Sequence, residues 1–216
     1  MGTVATAANI PESFLEHRQS FAAPWVDRWI LPNPFISAIH GALKELGVEL
    51  TDFSFNKDAI SIGDTFLNIA IRRLNAAVRI GLDSVTFSAA NPDWGTAPRL
   101  ISSFEQVTHV VREIVRTNPA FQETTLALHV SSETVDLRTA TASLVNKELL
   151  GESVFYGISL HRGTGTLMID KSLRYDHAAF VRLQRRSLGE DSFAEIASKL
   201  YEDEVFAFRL LGLIDE

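Results

Sequence analysis

Apolar and polar positions alternate along most of the first half of the chain. Leu67, Ile69 and Ile71 share one face, and Ala76, Val78, Ile80 and Leu82 form a second run with Arg79 between them. Val85, Phe87 and Ala89 then oppose Ser84, Thr86 and Ser88, so the parity flips at Asp83 and predicts a tight turn or bulge there. Val48–Phe55 alternates more weakly, and Asn56-Lys57-Asp58 reads as a turn into a short strand at Ala59–Ile62. The second half carries the same signal. Residues 151–162 read as a strand, Gly163 as a turn into Thr164–Leu173, and His177–Arg186 as a further strand, with Thr124–Val130 standing between the halves. One apolar and one polar face per strand is the pattern of an antiparallel sheet covered on one side.

Helical spacing interrupts the strands at four places. Asn33-Pro34 supplies an N-cap and a first-turn proline, Phe35, Ile36, Ile39, Leu43 and Leu46 an apolar stripe, and Gly47 a stop. Ser102 with Glu105 reads as a capping box opening a helix through Phe104, Val107, Val111 and Ile114 to Thr117. Ser192 with Glu195 repeats that box before Phe193, Ile196, Leu200 and Phe208, while Leu137–Leu149 gives a weaker helix with Leu137, Leu144 and Val145 inward. Strands followed by a Ser-x-x-Glu helix opening therefore occur twice, which points to internal duplication. The predicted fold is α+β: a twisted antiparallel sheet of about eight to ten strands, helices mainly on one face, and two related βββα-like halves. Residues 1–33 read as an N-terminal arm, with a short helix at Pro11–Gln19 and prolines at 24, 32 and 34. Residues 34–120 and 121–216 form the two halves, and no Ser/Gly/Pro tract separates them, so one compact domain is expected.

Composition narrows the class without naming a chemistry. In 216 residues, 46% are hydrophobic and 14 are Phe, enough for a sizeable core. Cysteine is absent, which removes disulfides, thiolate metal sites and a Cys nucleophile. The opening MGTVATAANIPESF lacks the basic and apolar regions of a secretory signal, and no apolar run approaches the ~18 residues of a membrane span. Met1-Gly2 with Thr6 fits the minimal myristoylation pattern, but an ordinary start is the better reading of so permissive a match. A soluble, cytoplasmic protein is expected.

The net charge of −7 is unevenly spread. Arg162, Lys171, Arg174, Arg182, Arg185 and Arg186 crowd one stretch, and Glu190, Asp191, Glu195, Glu202, Asp203 and Glu204 crowd the next. Mutual neutralisation on one surface is the simpler reading. The sharper one is a basic sheet face, Arg162, Arg174, Arg182, Arg185 and Arg186, meeting an anionic partner. Nucleic acid is disfavoured as that partner by a pI of about 5.4 and the lack of an RNP-like pattern, although Phe155, Tyr156, Tyr175 and Phe180 lie nearby for stacking.

Catalytic constellations are sparse. His161 and His177 with Asp170 and Asp176 fall near strand ends, and an acid–base pair forms only if those ends converge. His109 and Glu113 have a metal-ligand spacing but lie off the apolar stripe, with no third ligand, so no metal is assigned. Gly81-Leu82-Asp83-Ser84 lacks the closing glycine of a nucleophile elbow, and Gly163-Thr164-Gly165 is neither phosphate-loop motif. No cofactor is implied, no family's motif set is present, and the balance leans away from an enzyme. The first expectation is a non-enzymatic interaction or assembly module, a homodimer or a partner of another protein, using Phe21, Trp25 and Trp29 of the arm or a sheet edge. The second is a small-molecule-binding protein with a pocket between sheet and helices. An enzyme of unrecognised type is the third.

Overall fold

The computed structural model describes residues 8–25, 32–56, 66–92, 97–133, 136–137 and 157–214. Their strands form one nine-stranded antiparallel sheet in the order β2-β3-β4-β5-β1-β6-β9-β8-β7. In chain order these are β1 (Ala8–Ser20), β2 (Phe53–Phe55), β3 (Leu67–Ile71), β4 (Ala76–Ile80) and β5 (Ser84–Ala90). There follow β6 (Phe121–Ser132), β7 (Ile158–Arg162), β8 (Gly165–Lys171) and β9 (Ala178–Leu188). The α-helices among the described residues are α1 (Pro32–Leu43), α2 (Ala97–Val115) and α3 (Phe193–Leu210). The α+β class expected from the alternation is the class observed.

The chain divides into two compact units that interleave in sequence. One comprises Leu15–Thr124 with Ser187–Phe193. Its meander β3-β4-β5 is antiparallel in a register that pairs Leu67 with Ile80 and Ile80 with Val85. Gly81 N–H closes the second hairpin onto Ser84 O at 2.8 Å, the turn that the parity flip predicts. Leu67, Ile69, Ile71, Val78, Ile80, Val85 and Phe87 all point inward. They share one core with Phe35, Ile39 and Leu43 of α1 and Leu100, Phe104, Val107 and Val111 of α2, so in this unit both helices cover the same sheet face. After α1 a 3-10 turn, Lys44–Leu46, ends at Gly47 in the left-handed region (φ 72°), the stop read from the sequence.

The other unit comprises Met1–Phe14, Thr125–Arg186 and Ala194–Glu216. β7 and β8 are joined by a tight hairpin at Gly163 (φ 58°), with Arg162 opposite Gly165, and β8 pairs with β9 from Gly165↔Arg185 to Lys171↔Ala179. Leu167, Ile169, Val181 and Leu183 on the strands and Ile196, Leu200 and Phe208 on α3 are among its buried apolar side chains. Ser192 stands immediately before α3, as the capping box requires.

Three expectations need correction. Pro11–Gln19 is not a helix but part of β1, with Ser13, His17 and Gln19 buried and Phe14 and Arg18 exposed. Its inward face is polar, so the alternation that identifies a strand is missing, and pairing with distant strands overrides local preference. The second helix opens at Ala97, five residues before Ser102; Pro98 is tolerated there because first-turn N–H groups have no helical partner. Ser103 instead donates its hydroxyl to Arg99 O within the helix, at 2.8 Å. Val48–Phe55 holds a 3-10 turn, Leu50–Asp52, and only Phe53–Phe55 is strand. The strand expected at Ala59–Ile62 and the helix expected beyond Leu137 lie outside the described residues.

Candidate functional site

The inward positions of β6 run Gln122, Thr124, Leu126, Leu128 and Val130, so the strand's apolar face turns polar at its start. The inward face of β1 is polar opposite that point, with His17 fully buried and Gln19 only 4% exposed. These four polar side chains satisfy one another in a determined order. The Gln122 amide nitrogen donates to the carbonyls of Leu188 (3.0 Å), Gly189 (3.3 Å) and Asp191 (2.8 Å). Carbonyls only accept, so Gln122 Nε2 must face them and Oε1 must face the opposite way. That oxygen lies 3.1 Å from His17 Nε2 and 2.9 Å from Gln19 Nε2, and both of these must therefore donate. His17 is thus the Nε2–H tautomer, and its Nδ1 accepts from the Thr124 hydroxyl at 2.7 Å.

Burial holds this imidazole neutral. Desolvation, partly offset by the Gln122 hydrogen bond and assisted by the Arg112 charge, lowers the His17 pKa to about 4. The ring is walled edge-on by Phe104 and Phe193, with centroids 5.0 and 5.1 Å away. Gly189 is required where the network meets the loop after β9, since a Cβ there would collide with the Pro119 carbonyl.

The same orientation leaves the Gln19 oxygen over. Among the described residues five buried side-chain polar atoms meet no hydrogen-bond partner, and three of them, Gln19 Oε1, Thr108 Oγ1 and Arg112 Nε, belong to residues that line one cleft. Phe104, Thr108 and Arg112 follow one another at four-residue spacing along α2, and so share a helix face. The cleft has a volume of about 300 Å³, and Glu105, His109, Glu190, Asp191 and Phe193 complete its margin with Gln122. Burial also pushes the Arg112 guanidinium down from its ordinary value, as expected of a cation short of water. An unmet buried polar atom costs about 1–3 kcal/mol, so the fold carries a concentrated cost beside this cleft.

Two larger hollows lack this property. One of about 760 Å³ lies among Glu45, Leu46, Arg73, Arg99 and Ser102, and one of about 510 Å³ among Arg162, Tyr201, Phe206 and Arg209. None of the unpartnered atoms lines either.

Apart from His109 at the cleft's margin, the site residues singled out from the sequence lie elsewhere. His161 is on β7 beside the Gly163 hairpin, 3.3 Å from Thr166 Oγ1, whereas Asp176 and His177 are in the turn after β8. They occupy opposite ends of a seven-residue strand, roughly 20 Å apart at about 3.3 Å per residue, so the expected acid–base pair does not assemble. Asp170, on β8, accepts from the Lys171 backbone N–H. The five arginines do not form one patch either. Arg174 pairs with Glu12 at the far end of β8, and Arg185 forms a two-pronged pair with Asp203 of α3 at 2.6 and 2.8 Å. Arg162 lies over the Phe206 ring, Arg182 is exposed opposite Met168, and Arg186 is exposed near the Gly163 hairpin. Phe21 and Trp25 are in their own unit's core, rings 4.5 Å apart; Trp29 lies outside the described residues.

His109 and Glu113 are both exposed on α2, and among the described residues no group of three His, Asp or Glu is placed to hold a metal. Ser172 Oγ lies 2.9 Å from His129 Nδ1, the separation of a nucleophile–base pair. It also accepts from the N–H groups of Arg174 and Tyr175 and is 2% exposed, which makes it the cap of the β8–β9 turn.

Gln19, Thr108, Arg112 and Gln122 escape sequence reading because each is an ordinary polar type at unremarkable spacing. One signal was present: Gln122 and Thr124 are in phase with Leu126, Leu128 and Val130, so the strand's buried face begins with two polar groups. Comparison of the sequence with models of known protein families and with curated proteins returns no match. No helix among the described residues is long and apolar enough to cross a membrane.

Proposed function

We propose that this is a small-molecule-binding protein whose site is the cleft between α2 and the β1–β6 strands of the Leu15–Thr124 unit. The observation that carries the reading is that Gln19, Thr108 and Arg112, each with a buried side-chain polar atom that meets no partner, line one cleft. His17, beneath the cleft, has both ring nitrogens engaged. Its role is to hold Gln122, and through it Gln19, in orientation. A cytoplasmic setting, expected from the cysteine-free chain, belongs to the same proposal.

The test is thermal unfolding of the full chain against a broad library of small polar compounds, beside the Thr108→Val variant. Binding to the folded state raises Tm by mass action. Valine matches threonine in shape and removes a hydroxyl with no partner, so the free variant should be as stable as the parent or slightly more so. Compounds that stabilise the parent should lose that effect in the variant. No stabilisation by any compound, or equal stabilisation of both proteins, would contradict the reading.

A second reading rests on β7, which ends the strand order among the described residues. Four of its five residues are exposed, Leu160 to 37%, leaving a strand edge of the kind through which two copies pair. It is compatible with the first and makes the protein a homodimer.

A further inference from the structure

We infer that the homodimer formed at β7 has a second contact, the exposed face of α3 packed antiparallel on its own copy; this deepens the strand-edge reading and rests on it. Ile158–His161 holds no lysine or proline to guard the edge, and the register of β7 with β8 is unbroken by a bulge. A two-fold axis beside Leu160 sets each Leu160 against its copy, Ser159 against His161, and Arg162 against Ile158. No two like charges then stand opposite one another.

The same axis has matching surfaces to work with on α3. Tyr201 is 48% exposed and Phe206 37%, and with Glu202, Val205 and Arg209 they line a hollow of about 510 Å³ beside Arg162 of β7. The Arg162 guanidinium lies 5.9 Å from the centre of the Phe206 ring, so the end of β7 and this part of α3 border the hollow together. Glu202 and Arg209 are both exposed, and among the described residues neither meets an oppositely charged partner. They stand two helical turns apart on one face, roughly 10 Å at about 1.5 Å per residue, with Val205 and Phe206 midway. Two antiparallel copies of α3 related at Val205–Phe206 therefore bring each Glu202 to the other copy's Arg209, while the Tyr201 and Phe206 rings fill the hollows between them. Antiparallel pairing of the strand edges demands that same antiparallel pairing of the helices. This self-complementarity singles out a second copy as the occupant.

Sedimentation velocity on a dilution series of the full-length protein tests this, with far-UV circular dichroism to check that each variant keeps the fold. The parent should be a dimer and Leu160→Lys a monomer. Glu202→Arg alone and Arg209→Glu alone each set like charges together twice per dimer, and each should weaken dimerisation about tenfold or more. The double variant Glu202→Arg, Arg209→Glu restores opposite charges and should recover most of the parent's affinity. A dimer that Leu160→Lys breaks but both single reversals leave intact, or single reversals that the double variant does not rescue, would overturn the role of α3 and leave the strand-edge pairing standing. A parent that is monomeric at every concentration, or a dimer indifferent to Leu160→Lys, would overturn both.

Discussion

The amide of Gln122 ties His17 and Gln19 to the carbonyls of Leu188, Gly189 and Asp191. Replacing it by Leu, similar in size, strands the His17 N–H and those carbonyls together. The expected cost is about 2–4 kcal/mol, read as a lower urea midpoint at unchanged slope. His17 gives the cluster a pH signature. Its pKa falls from 6.5 in the unfolded chain to about 4 in the fold, so between those values the unfolded state binds a proton that the folded state refuses. The stability due to a neutral His17 is complete above about pH 6.5 and lost as the pH falls towards 4. At ~1.4 kcal/mol per pKa unit the total is on the order of 3 kcal/mol. Urea unfolding at a series of pH values should show this loss in the parent and not in His17→Gln. Gly189→Ala, which drives a methyl group into the Pro119 carbonyl, should cost about 1–3 kcal/mol and loosen the Gln122 contacts with it.

At the level of elements, apolar periodicity marked the strands and helices that bury apolar faces, and failed where the buried face is polar. β3, β4 and β5 show their inward Leu, Ile, Val and Phe plainly, and the turn between β4 and β5 is visible as a change of parity. β1 hides, because Ser13, His17 and Gln19 face inward and only distant partners make that tolerable. Of the residues that conceal β1, Gln19 also lines the cleft, and His17 holds its Gln122 neighbour. Charge patterning behaved differently. The basic stretch and acidic helix meet at Arg185 and Asp203, whose side chains are 11% and 10% exposed in a two-pronged pair joining β9 to α3. Asp203→Ala leaves a nearly buried guanidinium alone and should cost about 3–5 kcal/mol. The double change Arg185→Met, Asp203→Leu should recover most of that loss, measured by the same denaturant unfolding.

Over the whole molecule the strand order carries a likeness between the two halves of the sequence. A long strand (β1, β6) is followed by a meander (β3-β4-β5, β7-β8-β9) whose last strand returns beside it, and each meander is followed by a helix. The likeness is one of topology. The order ends at β7, and if two copies pair there, Leu160→Lys should shift a dimer to monomer in native mass spectrometry, while a dimer untouched by the change would exclude that edge. The binding claim stands or falls at Arg112. Its side-chain Nε–H, assigned by comparison with Arg112→Lys, can be followed by NMR while the small-molecule library is titrated into the full-length protein. The account predicts that a ligand moves this signal and slows its exchange with water, because the N–H gains the acceptor it lacks. An Arg112 signal that stays put and exchanges freely while ligands bind elsewhere, or when none binds, would contradict it.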